Sequence, residues 1–246
     1  MTRLSVFKIR LVGTAGLLLV VFAIVRLLWY PGAYFTISGA SKLLLILVTA
    51  NLIIGPGLSA LVYKPGKKGL VMDLCLLAAV ELIALTLAVS MIHARRPYYT
   101  VFAVDRFESV SRVEVDATQM GFAKFDTRPG HEPRLVYAEL PQDRQAFDQL
   151  MDETVFQGKE DIDRRPEFWK PYTVGIPILK SAAKPLEDLL RGDEGRAARV
   201  QRWLTEQDGA RREYLYLPLR GKSGDVTMIL HADIGYPVDI LTVDPW

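Results

Sequence analysis

Polar residues are scarce over the first third of the chain and frequent thereafter, and the pattern changes near position 96. Three apolar stretches, 11–30, 43–63 and 70–92, each reach the about 20 residues, or about 30 Å of helix, that a bilayer crossing needs. They predict three transmembrane helices within a domain spanning 1–96. Beyond it the period shortens. Pro97 to Val104 is a β-branched and aromatic run that reads as a strand leaving the membrane, and 134–140 offers a second strand. Residues 143–156 carry Phe147, Leu150, Met151 and Val155 at helical spacing, which predicts an amphipathic helix. Further helices are expected over 185–190, opened by Pro185, and over 195–207, with Val200, Trp203 and Leu204 facing inward. Three short strands at 214–220, 226–231 and 238–244, separated by Gly- and Asp-rich turns, read as an antiparallel meander. Helices followed by such a meander argue for an α+β domain over 97–246.

Turn residues fall between the apolar stretches. Trp29-Tyr30-Pro31-Gly32 closes the first, and Lys64-Pro65-Gly66-Lys67-Lys68-Gly69 joins the second to the third. An aromatic pair at a helix end suits the headgroup level. Gly55-Pro56-Gly57 interrupts the second span and predicts a kink or a close helix approach. The basic residues ahead of the first span and the small residues 38–41 behind it resemble a cleaved signal peptide. The length of the apolar run and the two spans that follow predict a retained anchor instead.

Charge sharpens the division. Residues 1–96 hold 10 Lys/Arg and 2 Asp/Glu, whereas 97–246 hold 20 and 26, so the formal +2 of the chain is +8 followed by −6. A wholly cytosolic enzyme is excluded by the first half and nucleic-acid binding by the acidity of the second. Arg3, Lys8, Arg10, Lys64, Lys67 and Lys68 fall on one side of a three-span topology, against Lys42, Arg95 and Arg96 on the other. The first side is expected to be cytoplasmic and the C-terminal domain to lie outside it.

Candidate chemistry is sparse. Glu81 sits near the middle of the third span, where an isolated charge costs at least about 2.5–3.5 kcal/mol. Asn51 of the second span is expected at similar depth and within hydrogen-bonding reach. Arg26, about one turn from the outer end of the first span, can snorkel to the interface. His93, His131 and His231 are far apart, and Lys64 to Gly69 lacks the ending of a phosphate loop. No catalytic residue, metal site or cofactor is expected, and the single cysteine, Cys75, excludes an intramolecular disulfide. The aromatic and proline segments 168–172, 175–178 and 245–246 suit either protein contact or capping of the domain's own core, which makes Trp169, Tyr172 and Trp246 candidate contacts.

Together, Trp29-Tyr30-Pro31-Gly32, Gly55-Pro56, the turn from Tyr63 to Lys68 leading to Asp73-Leu74, Arg96-Pro97 followed by Val104-Asp105-Arg106-Phe107, and Pro245-Trp246 resemble the TfpX/TfpZ family of type IV pilin accessory proteins. The resemblance covers nearly the whole chain. It implies a bacterial inner-membrane protein, with its N-terminus cytoplasmic and its C-terminal domain periplasmic, that promotes type IV pilus assembly with a cognate major pilin and other assembly components. The implied action is chaperone-like and not catalytic. On this reading Glu81, Asn51 and Arg26 contact the pilin helix, while Trp169, Tyr172 and Trp246 meet its head. The alternative is a membrane-anchored envelope enzyme acting on pilin or a cell-envelope polymer.

Overall fold

The structure, a computed structural model, describes residues 2–122, 125, 130–207 and 213–246. In chain order the elements are α1 (Arg3–Ile24), continued by a wider helical turn over Val25–Trp29, a short α2 (Tyr34–Ile37), α3 (Ala40–Val62) and α4 (Leu70–Ala94). Then come β1 (Pro97–Ala103), β2 (Arg106–Ser111), β3 (Arg134–Ala138), α5 (Arg144–Val155), β4 (Trp169–Pro171), α6 (Tyr172–Ala182) and β5 (Lys184–Pro185). α7 (Glu194–Glu206), β6 (Tyr214–Gly221), β7 (Gly224–His231) and β8 (Pro237–Leu241) complete the order. The chain divides into two units. One comprises Met1–Tyr30 and Gly39–Arg95, the other Pro31–Ser38 and Arg96–Trp246.

In the first unit α1 starts at Arg3 because the Thr2 hydroxyl accepts the Ser5 N–H, a helix cap. Gly39 and Gly69 precede α3 and α4 in the left-handed region, at φ +78° and +81°, which only glycine adopts cheaply. Three helices are long and apolar enough to cross a membrane: Arg3–Trp29, Ala40–Val62 and Leu70–Ala94. Their large apolar side chains point outward, with Leu45, Ile46, Ile53, Val71, Leu76 and Ile83 all exposed, while Ser59 is buried. At one end, the Tyr30 hydroxyl donates to the Ile92 carbonyl at 2.7 Å and Trp29 meets His93 edge-on.

The second unit is built on one eight-stranded sheet of order β4-β3-β1-β2-β6-β7-β8, with β5 pairing β6 outside that path. The last three strands do pair antiparallel in sequence. They do not form a separate meander, because β6 also runs parallel to β2, and β1 parallel to β3, so the sheet is mixed. The expected α+β layout is corrected accordingly. Side chains alternate across the strands. Phe102, Phe107, Tyr137, Leu217, Leu219 and Met228 face one side, covered by Tyr172 and Leu179 of α6. The other side holds a cluster of Tyr99, Val101, Val110, Val136 and Trp169 with Leu150 of α5, and a second cluster around Val200, Trp203 and Leu204 of α7.

Residues 31–38, the connection between the first two long helices, lie in this second core. Ala33, Tyr34 and Ile37 are buried with Phe102, Leu219 and Met228. The Tyr34 and Thr100 hydroxyls share a hydrogen bond of 2.6 Å, and Ser223 N–H donates to Ile37 O at 2.7 Å. Gly221 makes the approach possible, since a Cβ there would stand 2.5 Å from the Ile37 carbonyl oxygen.

Other sequence expectations need adjustment. Residues 186–190 form a tight 3₁₀ turn rather than an α-helix. α5 buries Leu150 and Glu153, while Phe147, Met151 and Val155 are exposed. β2 and α6 were not expected. β2 buries Glu108, Ser109 and Ser111, which hides its strand pattern, and α6 contains Pro177.

Candidate functional site

The helical unit gathers several polar side chains among its apolar helices. α3 packs along both α1 and α4, and these two approach each other at only isolated positions. A groove of about 280 Å³ runs between them, lined by Gly13, Thr14 and Leu17 of α1, Asn51 of α3, and Ala78 and Leu82 of α4. Arg10 and Glu81 bridge it. Arg10 Nη2 donates to Glu81 Oε2, Arg10 Nε donates to Ser59 Oγ at 3.1 Å, and the Thr14 hydroxyl donates to Glu81 Oε1 at the long distance of 3.5 Å. Ser59 in turn donates to the Gly55 carbonyl at 2.9 Å. Gly55 is needed because a Cβ there would overlap the Glu81 carboxylate. A carboxylate and a guanidinium that neutralise each other are tolerated among apolar helices where either alone is not.

Among the expected site residues, Glu81 and Asn51 therefore line one groove, but they are not hydrogen-bonded to each other. Asn51 Nδ2 donates instead to Leu47 O at 2.8 Å. Arg26 lies apart from them on the turn Val25–Trp29, half-buried. Trp169 and Tyr172 correct the expectation of exposed aromatic contacts: both are core residues, 1% and 5% exposed. Trp169 packs edge-on against Tyr99, and the Tyr172 hydroxyl donates to Gly235 O at 2.6 Å. Burial pushes the Tyr172 phenol well above its ordinary range. Trp246 is exposed, with its indole N–H on Asp225 and its carbonyl accepting from Arg196 Nη1.

Arg10 was read from sequence only as a flanking charge. The missed signal was Thr2, whose cap starts the helix at Arg3 and so carries Arg10 about two turns into it.

In the second unit charge is gathered on one network. Glu108 accepts from Arg106 at 2.9 Å and faces Arg220 at 3.6 Å, while Glu114 meets Lys222 at 2.9 Å and Arg164 at 3.5 Å. Asp163 pairs with Arg164. Burial drives its carboxyl up to about 6 against the pull of Arg164, with Glu108 and Asp161 adding repulsion. Burial pushes Glu114 upward too, but hydrogen bonds from Ser111 and Lys222 hold it below the ordinary range. These groups fix the turn Ile162–Arg164 and the segment after β2. Two of the histidines serve local structure: His231 Nδ1 accepts the Asp233 N–H, and His93 meets Trp29 edge-on. Among the described residues no group of three or more His, Cys, Asp or Glu is placed to hold a metal.

No protein-family model matches the chain, and neither does any solved structure. Two curated proteins do match. They are the fimbrial assembly proteins of serogroups I and E1 of Dichelobacter nodosus, each 28% identical over 166 residues. The match takes in 64% of this chain and 62% of each relative's length, a little under two thirds.

Proposed function

We propose that this chain is an accessory factor of type IV pilus assembly that holds a pilin subunit in the bacterial inner membrane by binding it, without catalysing a reaction. The groove between α1 and α4 carries the reading. It is open along two helices, walled by the small residues Gly13 and Ala78, and floored by Asn51. Small residues let a further helix approach closely, and a polar floor gives it register. A pilin subunit presents such an apolar helix. Two relatives named as fimbrial assembly proteins and the resemblance to pilin accessory proteins support the same role.

Connectivity supports the topology of this reading. Residues 31–38 fold with 96–246, so the connection after the first span and the domain after the third belong on one side, as a three-span chain requires. Arg3, Lys8, Lys64, Lys67 and Lys68 belong to the opposite side, which the positive-inside tendency makes cytoplasmic. The second unit is then periplasmic.

A photo-activated cross-linker at Gly13 or Ala78, in intact membranes of piliated cells, is expected to capture the major pilin through its apolar helix. The same probe at Val71, which is exposed outside the groove lining, serves as control. Equal capture from all three positions, or none from the groove, would overturn the reading.

A further inference from the structure

α5 is seated on the second unit by Leu150 and Glu153, both buried on one side of the helix. Phe147, Met151 and Val155 follow one another at intervals of four, so they form a row along the helix, and all three are exposed. Apolar residues scattered singly over a surface are ordinary, whereas a contiguous apolar row marks a contact. Arg144, three residues ahead of Phe147, extends the row at its N-terminal end. The charges at the two helix ends are placed unusually. Asp143 caps the N-terminus by accepting the Ala146 N–H, but Arg144 follows at the first helical position, where a cation gains nothing from the positive end of its own helix dipole. Its side chain is 94% exposed, and Asp148, its acid, stands 4.0 Å away at the limit of an ion pair. At the other end the last turn holds no basic residue, and Lys159 beyond it is engaged with Glu153 at 3.0 Å.

We propose that this row is the contact between two copies of the chain, whose α5 helices pack antiparallel about a two-fold axis at Met151. In that arrangement each Phe147 meets the smaller Val155 of the other copy, and the two Met151 side chains meet on the axis. Arg144 lies about 10 Å along the helix from Met151. The same distance in the other copy ends just past its last helical turn, so each Arg144 reaches the C-terminal carbonyls of the opposite α5 and supplies the cation which that end lacks. A parallel pair would instead bring the two arginines together. The row is thus its own complement in one orientation only, which singles out a second copy as the occupant. It is smaller than the about 800 Å² per partner of a standard interface, so the association is weak. Anchoring of both copies in one bilayer, as the proposed function has it, raises their effective concentration. The inference does not depend on the groove between α1 and α4.

The test uses the full chain with Cys75→Ser, purified, reconstituted in liposomes and given one new cysteine, with copper phenanthroline as the oxidant. Met151→Cys is expected to form a disulfide-linked dimer at least tenfold faster than Gln145→Cys, which is exposed on another side of α5. Phe147→Cys mixed with Val155→Cys is expected to link the two variants to each other in preference to either with itself. Arg144→Glu, followed by energy transfer between labelled copies over a series of protein-to-lipid ratios, is expected to weaken the dimer at least threefold with the circular dichroism spectrum unchanged, and Arg144→Lys to retain most of it. Cross-linking at Met151 no faster than at Gln145, self-linking of Phe147→Cys as fast as the mixed pair, or indifference to Arg144→Glu would each overturn the assignment. So would a fluorophore at position 151 that reports an apolar surrounding at every protein density, since that would place the row on lipid.

Discussion

The two units of this chain are built inside out with respect to each other. The helical unit turns Leu, Ile and Val outward and keeps Ser59, Glu81 and Asn51 on inward or groove-lining positions, whereas the sheet unit buries Phe102, Phe107 and Trp169 and sends most of its charges to the surface. Apolar burial drives the second kind of unit together. In the bilayer proposed for the first unit that force is missing, and close packing and hydrogen bonds between helices remain. The same residue type therefore has opposite value in the two places. An ion pair such as Arg10 with Glu81 organises one unit, while a buried carboxylate such as Asp163 is a burden on the other.

The sharpest way to break this comparison is Glu81→Ala. It leaves Arg10 of a half-buried pair without its carboxylate, and an unpaired charge among apolar helices costs about 2.5–3.5 kcal/mol. Thermal unfolding in bicelles is expected to show that loss, and the double change Arg10→Leu with Glu81→Leu to recover most of it. A double variant as unstable as the single one would mean that the pair is not what holds α1 to α4.

Next in size is Asp163→Asn. A carboxyl lifted from 3.8 to about 6 contributes its full stability below the ordinary range and loses it as pH rises through about 6. A lift of about two units is worth up to about 3 kcal/mol. The variant is expected to be more stable than the parent at pH 7.5, with the gap closing towards pH 4.5, in urea titrations followed by tryptophan fluorescence. Glu114 and Glu153 work in the other direction. Hydrogen bonds from Gln149, Lys159 and Arg165 bring Glu153 down from 4.5 to about 2, so its contribution is present at neutral pH and is lost as pH falls from about 4.5 through about 2.

Smaller effects test how residues 31–38 are held. Gly221→Ala forces a methyl against the Ile37 carbonyl and is expected to cost about 1–3 kcal/mol, as overpacking does. Tyr34→Phe removes the hydroxyl that meets Thr100 and is expected to cost about 1 kcal/mol. Both losses should appear as faster protease cleavage within 31–38. Unchanged cleavage in both variants would show that this segment is held by something other than the sheet.

The three long helices were legible because an apolar run of that length has few alternative folds. β6, β7 and β8 were legible because adjacent strands joined by Gly-rich turns declare themselves locally. The parallel pairings of β1 with β3 and β2 with β6 were not, since nothing within either strand names a distant partner. β2 escaped because a central strand carrying Glu108, Ser109 and Ser111 does not alternate in the expected way. The groove was half legible. Glu81 and Asn51 stood out as polar residues in apolar runs, but Arg10 sat where flanking positive charge is commonplace. Trp169 and Tyr172 stayed open between two readings because aromatic residues beside prolines look alike in sequence whether they cap a core or meet a partner.

Residues 31–38 leave the ribosome long before the strands that enclose them. Ile37 waits for Gly221 and Ser223, and Ala33 and Tyr34 for Met228, so the sheet cannot close until nearly the whole polypeptide has been made. Synthesis from the N-terminus thus delivers this buried piece first and the last of its enclosure late, and a nascent chain halted after α7 holds a loop that the early strands can meet but β6 and β7 cannot yet cover.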